Sequence, residues 1–419
     1  GLLIIDSMAV GVPPRPDRQP MYNEPLRLGD PRLQRIPRSP VLGTGSLGRA
    51  TSQRWPRIDA QGRACYTTSG RVAILQALRA IGVSGNDAVL VPTYHCPTMV
   101  EPVVRLGAEP RFYPIGVDGM PRMEVLAALP LGRVKALLAA HLFGLPQDFG
   151  ALRRFCDQHG IALIEDCAHA FFGRSADGPV GSTGDLVIGS LPKFFPAVEG
   201  GCLVVRNAAL VGPVLRAPGL VAEIKAAWDS LELGAAAGRL GWVNGTVSAL
   251  STLKKRLRGS PAAPIDAADG PHAPGNGLET IASHQVDRRA SAVVRWLVAH
   301  TDIERSAARR RANYSTFARL LGNEESVRPL FPTLPDGAAP YVFPLLVDDP
   351  EPLYRSLRQR GVPLYRWDIL WPGTPMLAGD AGASWATQVF QLCCHEDMAI
   401  EDVEMVASTI RHESRREVR

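Results

Sequence analysis

An α/β fold on a mostly parallel sheet is what this sequence predicts, and three observations predict it. Short β-rich runs at 88–91, 111–113, 134–139, 161–164, 186–188 and 202–205 alternate with stretches at 72–80, 97–106, 123–129 and 149–159, where apolar residues recur three and four apart. Alternation of those two periods marks strands joined by covering helices. After about residue 300 the pattern changes to a helix at 303–321, a strand at 341–347, a helix at 352–360, a strand at 362–367 and a helix at 400–411, a smaller α+β unit. Finally, 419 residues suffice for one large domain and a smaller second one.

The domain organisation follows in chain order. Residues 1–58 are rich in Pro and Arg without periodicity, which reads as an extended N-terminal arm. Residues 59–300 form the large domain, with a helical insertion at about 207–290 that is Ala-rich, carries a basic helix end from Lys254 to Arg258 and contains a loop at 261–277. A dimer-interface or lid element is favoured for this insertion over an amphipathic membrane-surface helix. Residues 301–419 form the small domain.

Composition narrows the function classes. Apolar residues at 46% and charged residues at 21% match a soluble globular enzyme. An excess of 46 basic over 41 acidic residues is too small over this length to argue for nucleic acid binding. The seven cysteines form no CxxC pair and no spaced framework, so they are expected to be reduced in a cytoplasmic protein. The apolar start is cut short at Asp6, with no basic flank or cleavage site, and no run approaches the ~18 residues of a membrane span. No metal site is expected.

Lys193 stands in Ser190-Leu-Pro-Lys193-Phe-Phe-Pro-Ala-Val-Glu199-Gly200-Gly201, downstream of Ile164-Glu165-Asp166-Cys-Ala-His169. A lysine and a buried acid are the two groups a protein supplies for pyridoxal phosphate chemistry: the amine forms a Schiff base with the cofactor aldehyde, and the acid keeps the pyridine nitrogen protonated. Asp166 follows an apolar run, which puts it at the carboxyl edge of the sheet where α/β folds bind ligands. A helix cap or an Arg partner is the structural alternative for it. Pro192, Phe194, Phe195 and Pro196 give Lys193 an apolar setting that lowers an amine pKa. His169 can stand beside the same ligand or serve in packing. Ser69-Gly70-Arg71 runs directly into the pattern of the first helix, so Ser69 at the N-cap and Gly70 beside it make either a phosphate seat or a plain cap.

The order of these motifs, with His141-Leu-Phe-Gly144-Leu-Pro-Gln-Asp148 and Gly184-Asp185 among them, resembles the DegT/StrS family of sugar aminotransferases. The resemblance covers about residues 60–206 and is looser in 303–321 and in Leu392-Cys-Cys-His395. It implies the three-layer aspartate aminotransferase fold, fold type I, and pyridoxal 5'-phosphate as cofactor. Lys193 would then be the Schiff-base lysine, Asp166 the pyridinium partner, and His169 a contact of the cofactor ring or its phenolic oxygen. Ser69, Gly70, Arg71 and Ser190 would cradle the phosphate. The chain departs from the family at Arg71, where Thr is usual, and at Cys96, where many members place the aromatic residue that stacks on the ring; Tyr94 is the expected substitute face. Glu199 falls in the family's Gly-Glu-Gly-Gly turn. Glu199, His395 and Arg366, whose guanidinium has aromatic neighbours to lie against, are candidates for substrate contact.

The implied reaction moves an amino group from an amino acid donor, with glutamate expected, to a keto sugar, expected to be nucleotide-linked, in a homodimer with sites between subunits. A sugar dehydratase using pyridoxamine phosphate is one alternative. Such enzymes commonly replace the lysine with His or add a cysteine-ligated iron–sulfur cluster, and Lys193 without a cysteine quartet stands against both. A non-catalytic cofactor- or nucleotide-sugar-binding relative is the other, and it would not need the lysine and acid. For Arg305 and Arg309-Arg310-Arg311 a solvated helix face is favoured over a diphosphate contact.

Overall fold

The computed structural model of the protein describes residues 30–258 and 281–417. The expected arm as far as residue 29 and the expected loop at 261–277 lie outside the described residues. The main sheet has seven strands in the spatial order β1-β7-β6-β5-β4-β2-β3. These are β1 (Arg63–Thr67), β2 (Ala88–Pro92), β3 (Glu109–Tyr113), β4 (Val134–Ala140), β5 (Ala162–Asp166), β6 (Leu186–Ser190) and β7 (Gly201–Val205). Strands β3, β2, β4, β5 and β6 pair in parallel, and β7 runs antiparallel to both neighbours. The middle strands are buried throughout or nearly so, which is why they read as apolar runs rather than alternating ones. Strand β1 escapes that reading because it lies at the edge, half-exposed, with Arg63 and Tyr66 in place of an apolar run.

Three helices cover this sheet: α1 (Gly70–Ile81), α2 (Pro97–Arg105) and α3 (Gly150–His159). Helix α1 begins because the Ser69 side chain accepts from the Val72 N–H at 3.3 Å, and it ends at Gly82, whose φ of 78° suits a residue without Cβ. Its Val72, Leu75 and Leu78 are wholly buried, each stabilising the fold by about 2 kcal/mol. The helix expected at 123–129 shrinks to Met123–Leu126, bracketed by Pro121 and Pro130.

The insertion forms a hairpin of α4 (Leu220–Ala236) and α5 (Asn244–Arg258), followed by α6 (Ala292–His300). The C-terminal region is α+β, with α7 (Ile303–Leu321), α8 (Pro350–Arg360), α9 (Gly382–Gln388) and α10 (Ile400–Glu417). They flank an antiparallel sheet in the order β8 (Val327–Pro329), β9 (Val342–Val347), β11 (Val389–Cys393), β10 (Leu364–Arg366). No helix among the described residues is long and apolar enough to cross a membrane.

Sheet topology brings the site together. Because β7 returns between β1 and β6, the turn before it lies against the start of α1: Ser69 bridges Gly200, and the Gly200 N–H reaches the Thr68 carbonyl at 2.9 Å. A Cβ at Gly201 would stand 2.2 Å from the Ser69 carbonyl oxygen, so only glycine lets the two backbones meet.

Candidate active site

The lysine loop is built to hold one amine in a fixed place. Strand β6 delivers Ser190, and a 3-10 turn over Leu191–Lys193 follows, closed when the Leu191 N–H reaches the Gly200 carbonyl at 3.0 Å. Phe194 and Phe195 are wholly buried and lock edge-on against Phe172 and Phe171, at 5.2 and 4.8 Å between ring centroids. They anchor the backbone while the amine faces the other way, 5.2 Å from the centroid of the Tyr341 ring. The amine makes no hydrogen bond among the described residues. Burial lowers its pKa, and the nearby Cys96 and Asp166 only partly oppose this. A more readily deprotonated amine is the nucleophile the sequence anticipates.

Asp166 sits at the carboxyl end of β5, where the strand meets the cavity. Its Oδ1 accepts from the Ala168 N–H at 2.8 Å, and Oδ2 has no hydrogen bond among the described residues. Burial raises its pKa; the Ala168 amide, Lys193 and His141 pull the other way without prevailing. A cation opposite this carboxylate would be favoured by the same physics. Glu165, pointing to the other face of the strand, is already saturated. It accepts from His141 Nε2 at 2.9 Å and from the amides of Gly181, Thr183 and Gly184. Burial would raise it, but the His141 bond and those amides outweigh this and hold it below the usual carboxylate value. His141 in turn accepts from the Gln147 N–H through Nδ1. The buried His141, Glu165 and Cys167 are grouped closely enough for a metal, yet the acid and imidazole are spent on protein partners, and the trio serves as a structural hub.

His169 is held by an unusual turn. Phe143 has φ 61°, the one non-glycine residue in the left-handed region among those described, a conformation that costs about 1–3 kcal/mol. That turn points the Phe143 N–H at His169 Nδ1 (3.2 Å) and its carbonyl at the Tyr341 N–H (2.9 Å). His169 is thereby fixed as the tautomer carrying its proton on Nε2. Its ring lies between Tyr341 and Trp367, with centroids at 4.5 and 5.0 Å. Burial first, and then the Lys193 charge, keep it neutral, well below the ordinary histidine value.

Ser69, Gly70, Arg71, Cys96, Asp166, His169, Ser190 and Lys193 all line one cavity of about 360 Å3. Helix α1 aims its first-turn amides there, and such amides have no partner within a helix, which suits an anion. The remaining expectations are corrected. Tyr94 does not line the cavity: it is wholly buried, packed on Trp367 at 5.1 Å, with its hydroxyl accepting from Gln391 Nε2. Glu199 points away and accepts the Ser291 N–H at the start of α6. Arg366 pairs with Glu351 and donates to the Thr387 carbonyl. His395 reaches out of the core to the Pro37 carbonyl at 2.8 Å.

Other lining residues carry no local sequence signal. The cavity is roofed by residues 34–39 and Val41, by Leu233, Ala236 and Ala237 of the insertion, and by Tyr341, Tyr365 and Trp367. One signal was available for the last two. Side chains alternate along a strand, so Tyr365 and Trp367 share one face of β10 and its extension, while Arg366 takes the other.

Residues 59–240 match the model of the DegT/DnrJ/EryC1/StrS aminotransferase family. The chain is similar to UDP-N-acetyl-3-dehydro-alpha-D-glucosamine 3-aminotransferase of Acidithiobacillus ferrooxidans, 32% identical over 179 residues, 40% of this chain and 46% of the relative. It is also similar to GDP-perosamine synthase of Vibrio cholerae, 34% over 157 residues, 36% of this chain and 42% of the relative. With L-glutamine:2-deoxy-scyllo-inosose aminotransferase of Streptoalloteichus tenebrarius it is 30% identical over 214 residues, 48% and 50% of the two chains. The chain thus spans about half the length of the curated relatives it matches. Among solved structures, DesV of S. venezuelae superposes with a TM-score of 0.57 at 20% identity, over 88% of this chain and 90% of that one. The aminotransferase PseC of Helicobacter pylori does so with 0.58 at 16% identity, over 92% and 95%. At these identities the likeness is one of fold, the mostly parallel sheet with a C-terminal α+β region. Over residues 59–240, where the end of β5 and the turn after β6 carry Asp166 and Lys193 to one cavity, the chain is similar to the DegT/DnrJ/EryC1/StrS aminotransferase family.

Proposed function

We propose that this protein is a pyridoxal 5'-phosphate-dependent aminotransferase that takes an amino group from glutamate or glutamine and delivers it to a keto sugar or keto-cyclitol, with a nucleotide-linked keto sugar favoured. The observation that carries this reading is that Lys193, whose amine makes no hydrogen bond among the described residues, and Asp166, whose Oδ2 makes none there either, line one cavity. The acceptor class is suggested by the relatives, which are named for two nucleotide sugars and an inosose.

The residues present fit the cofactor. A volume of about 360 Å3 lies in the range of small-molecule sites. The start of α1, with Ser69, Arg71 and Ser190, would hold the phosphate. Asp166 would face the ring nitrogen, whose positive charge would offset the burial that raises the carboxyl's pKa. His169 has Nε2–H left to donate to a ring substituent. When bound, pyridoxal phosphate supplies the electron sink for a carbanion. Lys193 would hold the cofactor through its amine and, once displaced by the amino donor, accept a proton from the donor Cα as general base. The apolar roof, Ile36, Val41 and Leu233, would keep water from the reacting atoms. The working form proposed is a homodimer.

An absorbance scan tests this. The purified protein, or protein given cofactor, is expected to show a visible yellow band that borohydride removes and that Lys193→Ala lacks. No band from the wild type would end the reading. Loss of the band on adding glutamate or glutamine, and its return with nucleotide-linked 3-keto or 4-keto sugars, separates a transferase from a protein that only binds the cofactor.

A further inference from the structure

Arg310 has no exposed surface, although it belongs to the basic run of α7 for which a solvated face is expected. Its guanidinium reaches four groups, one on its own helix and three from elsewhere in the chain. Nη2 donates to the Lys193 carbonyl at 3.0 Å and lies 2.7 Å from Glu396 Oε2; Nη1 donates to the Pro340 carbonyl at 3.2 Å; Nε donates to Ser306 Oγ at 3.2 Å. The plane lies 4.5 Å from the centroid of the Phe194 ring.

Stability alone is a poor reason for this arrangement. Removing a guanidinium and a carboxylate from water is costly, and apolar side chains of like volume often serve as well or better. What apolar side chains lack is a planar fork that bonds several carbonyls at fixed angles. The two carbonyls are informative. One belongs to Lys193, in a short 3-10 turn; the other immediately precedes Tyr341, whose ring lies 5.2 Å from the Lys193 amine. One side chain therefore fixes both the base of the amine and the aromatic wall it faces. We infer that Arg310 is a positioning residue that sets Lys193 over Tyr341. The inference rests on the proposed role of Lys193. Glu396 extends the linkage, since its neighbours His395 and Asp397 hold the Pro37 carbonyl and the Val41 N–H of the cavity roof.

The test compares wild type with Arg310→Lys, which keeps a charge for Glu396 without the fork, and with the double variant Arg310→Met with Glu396→Gln, which leaves no unpaired charge. Three quantities are read: the pH profile of Lys193 acylation in cofactor-free protein, followed by peptide mass; pyridoxal phosphate affinity by absorbance; and kcat against KM for the amino donor. Both variants are expected to fold. Lys193 labelling should change by about tenfold at fixed pH, and kcat should fall by on the order of tenfold to a hundredfold with donor KM little moved. Folded variants whose labelling profile and cofactor affinity stay within about twofold of wild type, a small fraction of one pKa unit, would overturn the inference. So would failure of both variants to fold, which would make Arg310 a folding residue. A wild type that forms no visible band ends the cofactor reading instead, while the labelling experiment still reports on Arg310.

Discussion

The floor and the roof of the cavity are built differently. Ser69, Asp166 and Ser190 on the floor sit at strand ends or at a helix start, and Lys193 lies in the 3-10 turn directly after β6, so one sheet and its turns place them. The roof comes from residues 34–39 and Val41, the end of α4, and Tyr341, Tyr365 and Trp367. Contacts between distant residues tie these pieces together, among them His395 to Pro37, Asp397 to Val41, Arg239 to Asp397 and Arg38 to Leu364. A floor defined by local geometry is expected to carry the chemistry. A roof assembled from remote segments is expected to choose the substrate, and the two can be separated by mutation.

The largest effect should come from the floor. Lys193→Ala is expected to reduce turnover by roughly 10²–10⁴-fold, the range for removing a positioned general base. Asp166→Asn keeps the shape and the Ala168 bond but removes the charge, and should cost roughly 10²-fold in the donor half-reaction. Stopped-flow absorbance after mixing with donor measures both. Equal losses from a roof substitution would erase the distinction between the two regions.

Most of the floor was legible in the sequence because each residue sits beside its own structural signal. Asp166 ends an apolar run, Ser69 precedes a helical period, and Lys193 lies in an aromatic loop next to Gly200-Gly201. The errors fall where a residue's surroundings come from elsewhere in the chain. Tyr94 looked like a ring face but is enclosed by Phe143, Trp367 and Trp385. Arg366, the candidate substrate contact with aromatic neighbours, is turned by strand alternation toward Glu351 while those neighbours face the cavity. Arg310 was indistinguishable from the basic residues flanking it, because a buried Glu396 many residues later decides which of them turns inward. The left-handed Phe143 gave no warning at all, since nothing in its identity favours that conformation.

The roof offers a smaller, more selective effect. Asp397→Asn weakens the acceptor at the Val41 N–H, and His395→Gln disturbs the bond to the Pro37 carbonyl. Each is expected to raise KM for the keto acceptor by about tenfold, equivalent to one lost hydrogen bond of about 1.4 kcal/mol. The rate of the donor half-reaction should stay within about twofold, since uniform binding of the acceptor is all that is lost. Steady-state kinetics with the acceptor varied, set beside single-turnover kinetics with the donor alone, distinguishes these outcomes. A fall in the donor rate would mean that the roof also shapes the floor.

The smallest effect is on pH dependence. His95 joins a floor strand end to the segment beyond Trp367: Nδ1–H donates to the Pro92 carbonyl at 2.8 Å, and Nε2 accepts from the Trp371 N–H at 3.0 Å. His395 donates through Nε2–H to Pro37 and accepts from the Asp397 N–H at Nδ1. A second proton on either ring would set N–H against N–H, and burial lowers both pKa values from 6.5 to about 4. Between those values the unfolded chain binds more protons than the folded one, so stability rises with pH there and falls on acidification. Each histidine should cost about 1 kcal/mol from pH 6.5 to 5.5 and nothing further below pH 4. His169 on the floor contributes with the same sign, because it too is held well below its ordinary value. Urea midpoints measured across this window should therefore show a shallower slope in His95→Gln with His395→Gln than in wild type, with the His169 share remaining. An unchanged slope would mean that water reaches the two roof-side imidazoles, and that the roof is less tightly closed than its hydrogen bonds imply.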